Sequence, residues 1–99
     1  AEVLNAGGVK IDPNRIDHAA LRTPGIREAC SFEYTAENGN QQIGLAVVVD
    51  ELDGQALVAA LDAEFGAAAP KLIAKVDAIP RTAAGKPKRR ELSARFAGS

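Results

Sequence analysis

The spacing of apolar and polar positions predicts four extended segments. Residues 3–11 have apolar ends around the pair Gly7–Gly8, which is typical of a short hairpin. Residues 26–34 alternate, whereas residues 42–50 are apolar on both faces, as in a central strand; we expect these two to pair antiparallel. Residues 71–80 predict a third main strand. The alternating segment is expected to present one apolar face formed by Ile26, Cys30, Phe32 and Tyr34.

Segments with the apolar spacing of a helix lie between and after these strands. Residues 12–25 and 53–66 each begin with an aspartate, Asp12 and Asp53, that can cap a helix. Residues 88–96 predict a final short helix. The side chains expected to face inward are Ile16, Ala20 and Leu21 in the first helix, Leu57, Val58, Leu61 and Phe65 in the second, and Leu92 and Phe96 in the third.

These elements follow the order hairpin, helix, strand, strand, helix, strand, loop, helix. This order predicts the α+β class, with helices packed on a small three-stranded sheet and a short β-hairpin at the N-terminus. The chain has 99 residues, which suits one domain with a single modest core.

Composition excludes several classes of protein. Cys30 is the one cysteine, so an internal disulfide or a multi-thiolate zinc site is impossible. No apolar run approaches the ~20 residues needed to span a bilayer, and no signal peptide is visible. We therefore expect a cytoplasmic protein with no membrane partner and no metal ligands of its own.

Charge is distributed unevenly along the chain. Residues 1–70 contain 11 acidic and 4 basic side chains, for a net charge of −7, whereas residues 71–99 contain 2 acidic and 8 basic, for +6. This separation indicates an anionic partner at the C-terminal end. The cations expected to steer anions or contact another domain, with at least two of them merely solvated, are Arg81, Lys88, Arg89 and Arg90.

The segment RTAAGK, residues 81–86, concentrates the chemistry of this basic end. Gly85 permits positive φ, so Lys86 can project from a tight turn. A phosphate-binding P-loop is excluded, because Pro87 follows the lysine and the earlier glycine is missing. From composition alone, a solvated cationic turn is the favoured interpretation.

Two motifs change that balance. PRTAAGK (80–86) followed by RREL (89–92) resembles the C-terminal signature of the adenylate-forming enzymes, which include acyl-CoA synthetases, nonribosomal peptide synthetase adenylation domains and luciferases. GGVKIDPNRID (7–17) followed by PGIREA (24–29) resembles the motif that opens the same C-terminal domain. The resemblance implies that residues 1–99 form a mobile C-terminal lid for a much larger N-terminal adenylation domain. It also implies that the chain is inactive in isolation.

The resemblance assigns roles to particular residues. Lys86 is implied to be catalytic in adenylation, in which a carboxylic acid attacks ATP. Mg²⁺ is implied to be held by the N-terminal domain. Gly7 and Gly8 are implied to line the channel for the thiol of coenzyme A or of a carrier-protein pantetheine, and Lys10 to meet phosphate. The further positions implied in binding are Arg81, Thr82 and Gly85.

Two alternatives remain open. An adenylation domain that charges a carrier protein would use the same lysine as an acyl-CoA synthetase. A non-catalytic module that binds nucleic acid or an acidic protein would use the basic end, but no aromatic residue lies beside the cations to stack on bases, so we expect no nucleic-acid partner. His18, beside Asp17, is expected to be a surface residue.

Overall fold

The predicted order of helices and strands is confirmed by the computed structural model, which describes residues 2–51 and 53–99. The elements are β1 Leu4–Ala6, β2 Val9–Ile11, α1 Pro13–Leu21, β3 Ile26–Thr35, β4 Gln41–Val49, α2 Gly54–Phe65, the 3-10 turn Gly66–Ala68, β5 Leu72–Lys75 and α3 Arg89–Arg95. None of the helices in the described ranges is long and apolar enough to cross a bilayer.

The strands form a two-stranded and a three-stranded sheet. β1 pairs with β2 as the predicted hairpin. The larger sheet has the order β3-β4-β5, with β3 antiparallel and β5 parallel to β4. The predicted antiparallel pair is thus confirmed, and β4 is the central strand. Its residues from Ile43 to Val49 are all buried, because helices or loops cover both faces of the sheet.

Both aspartates act as the predicted helix caps. Asp12 Oδ1 accepts a hydrogen bond of 2.9 Å from the backbone N–H of Asn14, and Pro13 occupies the first turn of α1. Asp53 Oδ1 accepts a bond of 3.0 Å from the N–H of Ala56 at the start of α2. Each cap satisfies a backbone donor that the helix itself leaves free.

The helices bury narrower stripes than the spacing predicted. Leu21 and Val58 are 44% and 41% exposed, so the prediction that they face inward is wrong. The other predicted core positions of α1 and α2 are buried. In α3, Leu92 is fully buried, and Phe96, at the cap, stacks on Phe32 with ring centroids 5.4 Å apart.

The two faces of the sheet carry separate apolar clusters. Cys30, Phe32 and Tyr34 share one cluster with Leu92, as expected for one face of a strand. Ile26 belongs to the other cluster, so its predicted place on the same face is wrong. The pairing between β3 and β4 shifts register between Ile26 and Glu28, and the extra residue of this bulge reverses the alternation.

Candidate active-site loop and glycine turn

The loop before α3 is a closed structure held by its own backbone. Thr82 N–H donates to Lys86 O at 2.8 Å, and Gly85 N–H donates to Thr82 O at 2.9 Å. At the base, Lys88 N–H donates to Pro80 O at 2.8 Å. Gly85 has φ +86°, the left-handed conformation predicted for it. The loop therefore keeps its shape although none of the side chains at its tip is buried.

Two of the predicted binding side chains take part in this loop. The Arg81 guanidinium donates to Gly85 O at 3.0 Å and to Glu28 Oε1, on β3, at 3.0 Å. Thr82 Oγ1 accepts a bond of 3.2 Å from the N–H of Lys86. Arg81 and Thr82 thus shape and tether the turn from which Lys86 projects.

Lys86 is exposed and presents its charge to solvent. Within residues 2–51 and 53–99, no carboxylate lies within ion-pair distance of its ammonium group. A lysine on a hydrogen-bonded turn, with no counterion among the described residues, is available to an anion that approaches from outside the domain.

The glycine turn between β1 and β2 is the second candidate site. Gly7 and Gly8 have φ +57° and +89°, and a Cβ built at either position would touch nothing within 4 Å. Asn5 Oδ1 accepts a bond of 2.9 Å from the N–H of Gly8. Lys10 is exposed on β2, opposite Asn5. The glycines are therefore required by backbone conformation, and the space beside them is open.

Gly7 also borders a groove of about 350 Å³. Its wall includes Gln42 and Lys71, which the sequence analysis did not single out. No hydrogen bond or ion pair among the described residues joins the glycine turn to the Lys86 loop, so the structure presents two separate candidate regions.

A buried charged cluster was missed by the sequence analysis. Arg89 is 6% exposed, which corrects its assignment to the group of surface cations. Its Nη1 donates to Asp17 Oδ2 at 2.9 Å and to Ser31 O at 2.8 Å. Asp17 Oδ1 in turn accepts the N–H of Ser31 at 2.7 Å. A signal existed: Asp17 shares helical spacing with the buried residues Pro13, Ile16 and Ala20. His18, next to it, is exposed as expected.

Burial and mutual charge interactions shift the pKa values of the groups in this cluster. Burial raises the pKa of Asp17, an effect opposed by the Arg89 cation and by the Ser31 N–H. Burial by itself lowers the pKa of Arg89, but Asp17, Cys30 and Glu2 together outweigh it, so the pKa of Arg89 is raised and the guanidinium stays charged. Burial also raises the pKa of Cys30 to about 11, although Arg89 opposes the shift.

Comparisons with known proteins place the chain in a family. Residues 15–86 match the family model described as the AMP-binding enzyme C-terminal domain. The chain is 37% identical over 103 aligned positions to the medium/long-chain fatty acid–acyl-carrier-protein ligase FadD10 of Mycobacterium tuberculosis (strain ATCC 25618 / H37Rv), covering 95% of the chain and 19% of that protein. It is 34% identical over 103 positions to the acyl-CoA synthetase ALT10 of Alternaria alternata, covering 97% and 18%.

Solved structures show the same fold. The amide bond synthetase McbA from Marinactinospora thermotolerans superposes with a TM-score of 0.84 at 23% identity, covering 97% of this chain and 20% of that one. A fatty acyl CoA synthetase from Mycobacterium tuberculosis gives 0.84 at 23% identity, covering 96% and 20%. The chain spans about a fifth of the length of these relatives. It belongs to the family of AMP-binding enzyme C-terminal domains, the C-terminal domain of the adenylate-forming enzymes.

Proposed function

We propose that this domain is the mobile C-terminal lid of an AMP-forming acid–thiol ligase, and that Lys86 serves its adenylation half-reaction. The observation that carries the proposal is the presentation of Lys86. Its turn is closed by backbone hydrogen bonds, and its ammonium has no counterion among the described residues. A larger N-terminal domain would supply the pockets for ATP and the acid and would hold Mg²⁺.

The chemistry of adenylation explains the need for such a cation. The carboxylate oxygen of the acid attacks the α-phosphorus of ATP, and pyrophosphate leaves to give the acyl-adenylate. Both reactants are anionic, so an ammonium between the carboxylate and phosphate oxygens offsets their repulsion and stabilises the charge of the transition state. Lys86 needs no proton transfer for this role, and an ordinary charged lysine suffices.

The glycine turn is proposed to serve the second half-reaction. A thiol attacks the carbonyl of the acyl-adenylate, and AMP leaves to give the thioester. If the lid rotates so that Gly7 and Gly8 line the thiol channel, their missing side chains leave room for a pantetheine arm. Lys10 is proposed to meet phosphate groups of coenzyme A or of a carrier protein, and its exposure on the same hairpin supports this role.

The thiol acceptor is coenzyme A or a carrier-protein pantetheine. FadD10 is named for a carrier protein and ALT10 for coenzyme A, so the relatives support both acceptors. The acid is a carboxylic acid, selected by the N-terminal domain. The isolated lid is expected to be inactive, and a cytoplasmic location remains part of the proposal.

The alternative of a non-catalytic anion-binding module is disfavoured by the family match. A salt titration with nonspecific DNA tests it directly. The lid is expected to bind weakly or not at all at physiological salt, whereas tight binding that falls steeply with salt would support the module.

The Lys86→Ala substitution in the intact ligase tests the catalytic assignment. We expect pyrophosphate release in a single turnover to slow by about 10²–10³-fold, while thioester formation from supplied acyl-adenylate stays close to normal. Lys75→Ala is the matched control, because Lys75 is also an exposed lysine but lies on β5, outside the loop. Equal losses in the two half-reactions would refute the role given to Lys86.

A further inference from the structure

The loop that carries Lys86 depends on its two ends for its position. Residues 81–86 are all exposed, so no core contact fixes the tip. The internal hydrogen bonds fix its shape but not its placement relative to the sheet. Placement comes from the flanking segments: the buried Ile79 and the Arg81–Glu28 tether before the loop, and Arg89 after it.

The second anchor lies in the protein interior. Arg89 comes three residues after Lys86, at the first position of α3, and its side chain is 6% exposed. Its Nη1 contacts Asp17 Oδ2 and Ser31 O at 2.9 and 2.8 Å, so one nitrogen ties α3 to both α1 and β3. The tether at Glu28, by contrast, is 38% and 41% exposed on its two side chains and is open to water.

The cluster occupies the open edge of the sheet. Among the residues that the structure describes, β3 pairs with β4 on one side and with no strand on the other. At Ser31, Asp17 accepts the backbone N–H and Arg89 donates to the backbone carbonyl. The ion pair therefore replaces the hydrogen bonds that another strand would supply, at one defined residue of β3. Because these contacts are made at Ser31 alone, they fix the position of α3 along β3.

We infer that Arg89 is a positioning residue for adenylation: paired with Asp17 and bonded to Ser31, it sets where the Lys86 loop projects from the domain. This inference rests on the proposed role of Lys86. Arg89 is 6% exposed and its guanidinium is engaged by Asp17 and Ser31, so we assign it an effect through the lysine. A planar guanidinium suits the task because its donors are fixed in direction, whereas an ammonium would leave them free to rotate.

Half-reaction kinetics of the intact ligase test the inference. Arg89→Gln is expected to slow single-turnover pyrophosphate release by about 10²-fold, because a displacement near 1 Å at a catalytic group costs that much. Thioester formation from supplied acyl-adenylate should change little. Arg89→Lys keeps the charge but loses the planar arrangement of donors. Its rate of pyrophosphate release should lie between those of the wild type and Arg89→Gln. Arg95→Gln is the control, since Arg95 lies on the same helix with its side chain 45% exposed.

A double-mutant cycle separates positioning from general destabilisation. If Arg89 acts through Lys86, then Arg89→Gln should cause no further loss of adenylation in the Lys86→Ala background. A full multiplicative loss in that background would overturn the inference while leaving the role of Lys86 intact. If Lys86→Ala itself leaves pyrophosphate release unchanged, the proposed function fails, and the inference fails with it.

A second variant is needed if Arg89→Gln unfolds the domain, because that substitution leaves the buried Asp17 without its charged partner. The double variant Asp17→Asn/Arg89→Gln replaces the ion pair by two amides and keeps an oxygen for the Ser31 N–H. Circular dichroism and thermal unfolding establish its fold. A folded double variant with a normal rate of adenylation would overturn the inference, and a slowed rate confined to adenylation would support it.

Discussion

The Lys86 loop and the Gly7–Gly8 turn are both exposed chain reversals with glycine at positive φ, but they are attached to the domain in different ways. The loop has several internal hydrogen bonds and ends at the buried Arg89. The turn has the ladder of a short hairpin, one internal bond from the Gly8 N–H to the Asn5 side chain, and an exposed bond from the Asn5 N–H to Glu33 on β3. A turn that must place a charge precisely needs anchors, whereas a turn that must only leave space needs small residues.

Among the substitutions that compare the two regions, the largest effect is expected from enlarging the glycine turn. Gly8→Leu places a branched side chain in the proposed path of the pantetheine arm. We expect thioester formation to fall on the order of 10²-fold, with near-normal pyrophosphate release in a single turnover. Gly85→Ala is the matched substitution in the other region. It strains the backbone, because residues with a side chain disfavour a φ of +86°, but the added Cβ meets no other atom. We expect it to slow adenylation and to leave thioester formation near normal.

Opposite phenotypes for these two variants would establish that the regions serve different half-reactions. If Gly8→Leu, shown to be folded by thermal unfolding, lost adenylation as severely as thioester formation, the separation would be wrong. A folded Gly8→Leu variant with no loss in either step would reduce Gly8 to a conformational role.

The reactivity of the Cys30 thiol tests the contacts of Arg89, the buried residue that follows the Lys86 loop. Burial raises the pKa of this thiol from 9.0 to about 11, so at pH 8 the thiolate population is about 100-fold below that of an ordinary thiol. We expect iodoacetamide to label the native domain at least 100-fold more slowly than the unfolded chain. Since Arg89 Nη1 lies 3.3 Å from Cys30 Sγ and its charge lowers the pKa of that thiol, Arg89→Gln should slow labelling further, and Arg95→Gln should not.

The same shift has a defined effect on stability. The folded state retains the Cys30 proton more tightly than the unfolded state, so this group favours folding below pH 9 and its contribution is lost between pH 9 and about 11. Chemical denaturation across this range, compared with a Cys30→Ala variant, measures the effect. A pH dependence identical in both proteins would contradict the assignment of the shift to Cys30.

The smallest effect is expected at Asn5, the side-chain anchor of the glycine turn. Asn5→Ala removes one exposed hydrogen bond and should cost about 0.5–1 kcal/mol, or a few degrees in Tm for a domain of this size. Pyrophosphate release should stay normal. An effect on adenylation comparable to that of Arg89→Gln would show that the two regions are coupled after all.

Local chemistry explains what could be predicted. The Asp12 and Asp53 caps, the hairpin at Gly7–Gly8 and the left-handed Gly85 each depend on contacts within a few residues of the chain. The motif around Lys86 is equally local. Composition and the family resemblance therefore sufficed to predict that Lys86 lies on an exposed turn. The central position of β4 followed from its apolar character on both faces.

By itself the sequence thus determined the elements, their order, the family and the residues of both candidate turns. Only the tertiary structure decided which surfaces are covered. Ile26 changed face because a bulge inserts one residue, and Leu21 and Val58 are exposed because each helix buries a narrow stripe. Arg89 is buried because Asp17, 72 positions earlier, and the open edge of β3 meet it in space. The helical spacing of Asp17 marks a buried position, but spacing alone does not identify so distant a partner.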